Sequence, residues 1–322
     1  MTEEFSQMPK YIESAAELEK QTDPFDVYMS DVITPAVDEV NREKEKYRGQ
    51  FWTYFWTALF LVSVNALVVL YRALMYHRAL NVEQLLFINI VALIIVCWPL
   101  YSWTKHKTKD VFSLFMEFYG QFKFSKALDD VTDADKDTLI VPEHSTTAVT
   151  HDIVGNYGGV DVEMRDTVYF KTKSKKSKKV CSGVVLCFDF KRNLQNNLLL
   201  FEKFGFYRKS KMANMINLNE QIHIPASNYF NVFSDKSEPS NILCSTFFEK
   251  ILDLKDVFGA RKMYLEATGN HIKIFLENSQ IYFENNKLWS RKMEYDKFRR
   301  LHNQFEEVFI FIETVQAILQ DI

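Results

Sequence analysis

Two long apolar runs, Phe51–Tyr71 and Leu85–Trp103, dominate the pattern of apolar and polar positions, and neither contains a charged residue. A helix rises 1.5 Å per residue, so about 20 apolar residues cross the roughly 30 Å hydrocarbon core of a bilayer. Trp and Tyr residues cluster at the ends of both runs, as they do at membrane–water interfaces. The pattern predicts a transmembrane helical hairpin, with spans at about 51–71 and 85–103. The alternative is a pair of buried core helices, but soluble helices of this length normally carry a polar face.

Residues 34–110 are predicted to form the transmembrane hairpin together with a juxtamembrane helix. Residues 1–33 are polar and are predicted to form a disordered tail. A helix is predicted to begin at Thr34, which can cap it while Pro35 takes the first helical position, and to continue into the first span. Lys and Arg are denser outside the hairpin than in its turn. The positive-inside rule then places both termini in the cytoplasm.

Residues 111–154 follow the second span and are predicted to form an amphipathic helix and a connector. The stretch VFSLFMEFYGQFKF has apolar residues at helical spacing. This helix could lie in the membrane interface or pack on the soluble domain, and the pattern favours neither.

Residues 155–322 show the patterns of an α+β domain built on an antiparallel sheet. Alternating apolar residues in Val160–Met164 and Ile272–Leu276 indicate strands, as do short continuous apolar runs elsewhere. Residues 180–190 are predicted to form a hairpin with residues 198–204, with further strands at 219–226 and 228–235. Two stretches with apolar residues three or four apart indicate amphipathic helices, one ending at Gly259 and one from about Lys292 to Gln320. The segment KSKKSKK at 173–179 is predicted to be a solvated turn.

Composition excludes some functions. The net charge is −3 and the pI is about 6.2, which gives no sign of a nucleic-acid partner. The four cysteines have no CxxC spacing and are interpreted as small buried apolar residues in a reducing compartment. Basic clusters at 171–179, 207–211 and 291–300 could contact anionic lipid, although solubility alone explains them.

Four segments occur in an order that is similar to one known family: HDIVGNYGGVDVEMRDT, SGVVLCFDFKRNLQ, FNVFSDKSEPSNILCSTFFEKILDLKDVFG and NHIKIFLENSQIYFE. In them, and in the preceding hairpin, the chain resembles a bacterial family known only as domain of unknown function 3137. The resemblance implies a two-span protein of the inner membrane with a cytoplasmic α+β domain. Such a family has no established activity or cofactor, so the resemblance assigns no site.

Few residues in the sequence are candidates for catalysis or for ligand binding. The segment GNYGG at 155–159 leads into a strand and lacks a following Lys-Ser or Lys-Thr pair, so it predicts a tight turn rather than a phosphate loop. Three acidic residues near the ends of apolar strands, Asp166, Asp189 and Asp235, are candidate binding residues. Acid–base catalysis or metal binding is conceivable for such carboxylates, but turn and capping roles are commoner. No catalytic residue, metal ligand or cofactor is predicted.

These observations predict a membrane-anchored, non-enzymatic cytoplasmic domain that binds a protein partner at the bacterial inner membrane. One alternative is a pleckstrin-homology-like module that binds anionic lipid through its basic clusters. Another is an unrecognised enzyme that uses Asp166, Asp189 or Asp235 at a pocket. The expected partners are the lipid bilayer and a protein, without nucleic acid, and the oligomeric state stays open.

Overall fold

The structure, a computed structural model, describes residues 23–76, 82–105, 111–125, 140–141, 146–173, 176–202, 214–223, 228–281, 288–289 and 291–320. The chain divides into two compact units. The first contains residues 1–114 and 284–294, and the second contains residues 115–283 and 295–322.

The first unit is helical. Helix α1 (Pro24–Tyr28) continues through a π-helical turn (Met29–Ile33) into α2 (Thr34–Tyr76), and α3 spans Val82–Lys105. The helix therefore begins eleven residues earlier than the sequence predicts, and the predicted disordered tail is wrong for residues 24–33. Asp23 and Pro24 provide the same combination of cap and proline as Thr34 and Pro35, and the Asp23 side chain accepts a hydrogen bond from the Phe25 nitrogen at 3.0 Å. The rest of the predicted tail, residues 1–22, lies outside the described residues.

Two helical stretches, Pro24–Arg72 and Leu86–Thr104, are long and apolar enough to cross a membrane. Their most apolar windows have mean hydropathies of 1.8 and 2.0 and are only 11% and 17% buried. Helices α2 and α3 pack against each other, but large side chains such as Leu67 and Phe87 stay about two-thirds exposed. Length and composition make both stretches candidate membrane spans.

The second unit confirms the predicted α+β class with an antiparallel sheet. Among the described residues, nine strands pair in the order β1-β2-β3-β4-β9-β8-β5-β7-β6, and every pairing is antiparallel. The strands are β1 Phe122–Ser125, β2 Thr146–Tyr157, β3 Val160–Lys173, β4 Lys176–Asp189, β5 Leu198–Glu202, β6 Ile216–Asn217, β7 Phe230–Ser234, β8 Lys262–Thr268 and β9 His271–Glu277. Helix α4 (Val111–Tyr119) precedes the sheet, α5 (Ser245–Val257) follows β7, and α6 (Tyr295–Gln320) ends the chain's described part.

Several predicted strands are placed differently. Strand β4 lies between β3 and β9, so its predicted pairing with residues 198–204 is wrong; β5 pairs with β7 and β8 instead. The predicted Lys-rich turn is mostly strand, because β3 extends to Lys173 and β4 begins at Lys176. Of the predicted strand at 219–226, the described residues 219–223 form a turn and an irregular segment.

The sheet also begins earlier than residue 155, because β1 and most of β2 lie in the segment predicted to be a helix and a connector. The glycine-rich segment ends β2 in the predicted tight turn: Gly158 and Gly159 have φ angles of 58° and 82°, which other residues rarely adopt. This turn joins β2 directly to β3.

Both faces of the sheet contribute to a core. Helix α6 covers one face, where the Phe311 ring lies 5.1 Å from that of Phe188 on β4, and α5 packs against α6. On the opposite face a second buried cluster covers one end of the sheet. Its members are Ile140, Val141, Tyr169, Cys181, Val185, Leu199, Phe201, Tyr264 and Phe275.

Helix α4 contributes Phe115 and Tyr119 to the second unit, where both rings contact the Phe305 ring of α6. Of the two predicted locations for this amphipathic helix, packing on the soluble domain is the one observed for these residues. The four cysteines form no disulfide among the described residues, but only Cys181 is buried and Cys97 is exposed, so the expected burial is wrong for most of them.

Candidate binding groove

A groove of about 480 Å³ lies on the sheet face opposite α6, beyond the end of the second buried cluster. Strand alternation puts every second residue of β3, β4 and β9 on this face. The register builds two rows of side chains across the three strands, Asp161–Asp189–His271 and Glu163–Cys187–Lys273. The next row, Arg165–Val185–Phe275, leads into the buried cluster. One sheet face thus changes from apolar core to charged groove along its strands.

The groove is net acidic. Three carboxylates, on Asp161, Glu163 and Asp189, face a single ammonium group, on Lys273. Val154 of β2 lies beside them with 46% of its surface exposed, so the groove also has an apolar wall. A site with this composition suits a ligand that brings both positive charge and apolar surface.

Neighbouring side chains hold the groove carboxylates in place. Asn156 donates a hydrogen bond of 2.7 Å to Asp161, and Asn270 donates one to Asp189. The His271 ring nitrogen Nδ1 lies 3.5 Å from Asp189 Oδ2. These contacts fix the acidic groups before any ligand arrives, which lowers the entropy that binding must offset.

A charge cluster borders the groove. The Arg165 guanidinium contacts the Glu163 carboxylate, and Arg165 Nε lies 3.6 Å from Asp152 Oδ1. Burial raises the pKa of both Glu163 and Asp152, although Arg165 opposes this effect. Half-buried charges of this kind are costly unless they are paired, so Arg165 stabilises this edge of the groove.

Only one of the three sequence-predicted site residues lies in this groove, namely Asp189. Asp166 is on β3 but faces the other side of the sheet, where its side chain is 13% exposed. Its Oδ1 accepts a hydrogen bond of 2.8 Å from the Ile281 nitrogen, and burial raises its pKa. These are the contacts of a residue that fixes the backbone.

Asp235 follows β7 and accepts two hydrogen bonds from Asn197, from its backbone nitrogen at 2.9 Å and from Nδ2 at 3.0 Å. It borders a different depression, of about 660 Å³. The three predicted carboxylates therefore do not share a pocket. Within the described ranges, no group of three or more His, Cys, Asp or Glu residues is arranged to hold a metal ion.

Sequence reasoning missed Asp161 and Lys273. It noted Glu163 as an acidic residue near a strand end and His271 as a structural His, but it predicted neither as a site residue. A signal was present, because these polar residues alternate with Val162, Met164, Ile272 and Ile274, which are all buried. Alternation shows that they lie on the outer face of their own strands. It does not show that β3 and β9 both flank β4, and only that pairing brings the residues together.

The fold and the groove define an α+β sheet domain with a charged groove, in a chain that also contains two helices apolar enough to be membrane spans. Residues 179–317 match the model of the family described as "Protein of unknown function (DUF3137)". The family resemblance seen in the sequence is thereby confirmed for residues 179–317, and the match does not include the two apolar helices. The matched residues extend from β4 to α6 and include Asp189, His271 and Lys273.

No curated protein sequence matches the chain. Among solved structures, the chain is similar to the crystal structure of the mycobacterial trehalose monomycolate transport factor A, TtfA, with a TM-score of 0.28 and 12% sequence identity. The similarity covers 60% of this chain and 89% of that one. A TM-score this low does not establish a common fold.

Proposed function

We propose that the protein is a membrane-anchored, non-enzymatic binding protein of the bacterial inner membrane. Its two apolar helices cross the membrane, and both termini lie in the cytoplasm. The groove of the sheet domain binds a segment of a partner protein that carries Lys or Arg residues beside apolar ones.

The exposure of the apolar helices supports the anchoring. Exposed apolar patches on soluble proteins are usually limited to a few hundred Å², and larger ones occur at interfaces or in membranes. Here only 11% and 17% of the most apolar windows of the two helices are buried. The distribution of Lys and Arg around the spans supports the orientation. Protease treatment of sealed inner-membrane vesicles tests it, and a sheet domain that is digested only from the periplasmic side would contradict it.

The observation that carries the binding proposal is the pair of side-chain rows, Asp161–Asp189–His271 and Glu163–Cys187–Lys273. They place three carboxylates and one ammonium group on a sheet face that is otherwise used for core packing. An acidic surface favours basic partners mainly by raising the association rate and by excluding acidic competitors. Asp166, Asp189 and Asp235 lie in separate places, so they do not form the shared pocket that would support the enzyme alternative.

Site-specific photocrosslinking of the full-length protein in its native membrane tests the proposal. A photoreactive residue replaces Val154 at the groove, or Ile216 as a matched control, since these side chains are 46% and 42% exposed. We expect a discrete adduct from position 154 that maps to a Lys- or Arg-bearing protein segment. Asp161→Asn combined with Asp189→Asn should reduce that adduct about tenfold, which corresponds to about 1.4 kcal/mol. No adduct at 154, the same adduct at 216, or an adduct insensitive to the two substitutions would refute the proposal.

A further inference from the structure

A short segment between β9 and α6 follows one face of helix α2. Residues 284–294 belong to the helical unit, although the elements before and after them in the sequence belong to the second unit. We call their described part, residues 288–289 and 291–294, the strap. The α2 residues that contact it are three or four positions apart, so they share one face of the helix: Asn41, Glu45, Arg48 and Trp52.

Polar contacts attach the strap to this face. Arg48 Nε donates a hydrogen bond of 2.7 Å to the Leu288 oxygen, Lys292 Nζ lies 2.5 Å from Glu45 Oε1, and Asn41 exchanges two hydrogen bonds with Met293. The strap therefore runs in the opposite direction to α2. From Asn41 to Trp52 the helix rises about 16 Å, so the attachment extends over about three helical turns.

Burial separates Trp289 from the other apolar side chains of the strap. Leu288 and Met293 are only 4% and 5% exposed, so both pack inside the helical unit. Trp289, directly after Leu288, is 51% exposed. An indole ring that stays half in water forgoes much of the stabilisation that its burial would give. Packing within the unit therefore explains Leu288 and Met293 but not the exposure of Trp289.

Trp289 extends a cluster of exposed aromatic rings at the start of the first apolar run. Its ring centroid lies 5.0 Å from that of Phe51 and 6.4 Å from that of Trp52, both in edge-to-face geometry. Trp52 and Trp56 are 49% and 61% exposed. The run Phe51–Tyr71 contains no charged residue, so in the anchored protein the hydrocarbon core begins close to these rings.

We propose that Trp289 is a third membrane contact besides the two spans, with its indole at the headgroup level of the bilayer, an inference that rests on the anchoring part of the proposed function. Trp is enriched at this level because its ring is apolar while its N–H can bond to polar groups. The strap holds the ring there through its contacts with α2. Continuity of the cluster with the apolar run favours lipid over a protein as the partner of Trp289.

Photocrosslinking to lipid in the full-length protein tests the inference. Benzoylphenylalanine replaces one aromatic residue at a time in protein reconstituted into phosphatidylcholine vesicles, and mass spectrometry measures lipid adducts after irradiation. Position 289 is compared with Tyr229 on the sheet domain and with Phe60 in the first apolar run, which are 63% and 67% exposed. We expect at least about tenfold more lipid adduct from position 289 than from position 229, as for a ring held in the interface.

Position 60 reports the anchoring separately. Lipid adducts from position 60 without any from position 289, or equal yields from positions 289 and 229, would refute the inference and leave the anchoring intact. Lack of lipid adducts from position 60 would refute the anchoring and, with it, the inference. An adduct of position 289 with a protein instead of lipid would identify the aromatic cluster as a protein interface and would also refute the proposed lipid contact.

A second measurement avoids the photoreactive group. Trp289→Phe keeps an apolar ring, and the fluorescence that it removes from the native protein is the contribution of Trp289. Phosphatidylcholine brominated near the headgroup should quench this contribution more strongly than phosphatidylcholine brominated near the chain ends. Trp103→Phe is the matched control, since Trp103 is only 7% exposed and its contribution should be quenched less. Equal quenching of the two contributions, or no quenching of the Trp289 contribution by either lipid, would contradict a place for Trp289 in the interface.

Discussion

Asp166 holds the backbone of Ile281: its Oδ1 accepts a hydrogen bond from the Ile281 nitrogen at 2.8 Å. Its other oxygen, Oδ2, lies 3.3 Å from Nδ1 of His151, which follows the bulge that interrupts β2 after Val149. One side chain thus joins the bulge of β2, the middle of β3 and the segment that follows β9. A carboxylate that is a candidate binding residue by sequence has the contacts of a structural residue.

Substitution of Asp166 should change how stability depends on pH. Burial raises the pKa of Asp166, so at this carboxyl the folded state binds a proton more tightly than the unfolded chain does. The carboxyl therefore lowers the free energy of unfolding as the pH rises from about 4 through the raised pKa. Asp166→Asn keeps an acceptor for Ile281 and removes the ionisation, so its stability should fall less over this range. Pulse proteolysis of the full-length protein in detergent, with urea as denaturant, measures the change.

Asp166→Ala is the companion variant, because it removes the acceptor as well as the charge. It should lose about 1–3 kcal/mol relative to Asp166→Asn at every pH, as the Ile281 nitrogen is left without this bond. If native protein and Asp166→Asn show the same pH profile, the ionisation of Asp166 does not affect stability.

Gly183 permits the close approach of β4 and β9. A Cβ atom at this position would collide with the carbonyl oxygen of Leu276 and would lie 2.9 Å from Cε2 of Phe275. The neighbour is backbone and cannot move aside, so Gly183→Ala should cost about 1–3 kcal/mol or more. Ser182→Ala on the same strand is the control and should cost less than about 1 kcal/mol. Equal urea midpoints for the two variants would contradict this explanation of the glycine.

Local patterns predicted the element types well. Alternation in Val160–Met164 and in Ile272–Leu276 gave strands, and the apolar stripe from Phe298 to Leu319 gave the last helix, because each pattern depends only on neighbouring residues. Strand pairing depends on distant residues. Nothing near residues 180–190 indicates that their partner is residues 271–277, so the sequence favoured the closer run at 198–204 instead.

The candidate site could also be predicted only in part, because its residues come together through the fold. Asp166, Asp189 and Asp235 look equivalent in sequence, since each follows or interrupts an apolar run. Only the fold separates Asp189, which lies in the groove, from the two that hold backbone groups. The start of the first helix was missed for a local reason, because Asp23–Pro24 and Thr34–Pro35 carry the same signal.

Tyr119 attaches the end of α4 to α6. Its hydroxyl lies 2.6 Å from Nδ1 of His302, and its ring stacks on that of Phe305 at a centroid distance of 4.5 Å. Tyr119→Phe removes the hydrogen bond to a buried His and should lower the free energy of unfolding by about 1 kcal/mol. Tyr119→Ala also removes the ring and should cost about 3–5 kcal/mol. Urea titrations followed by pulse proteolysis compare the two, and equal losses would show that the stacking does not stabilise the unit.

Asn41 and Met293 form a two-point contact within the helical unit. Asn41 Nδ2 donates to the Met293 oxygen at 3.0 Å, and the Met293 nitrogen donates to Asn41 Oδ1 at 2.8 Å. Asn41→Ala removes both bonds, so the Met293 amide should exchange with solvent about tenfold faster, as expected for a loss of about 1.4 kcal/mol. Asn41→Asp keeps the acceptor for the amide and should give a smaller increase.

Hydrogen–deuterium exchange of the full-length protein, followed by mass spectrometry of peptides that contain Met293, measures the exchange rate of both variants. Arg42→Ala, at the exposed neighbouring position, should leave the rate unchanged. An Asn41→Ala rate equal to that of Arg42→Ala would mean that the side chain of Asn41 does not hold residues 291–293 on the helix.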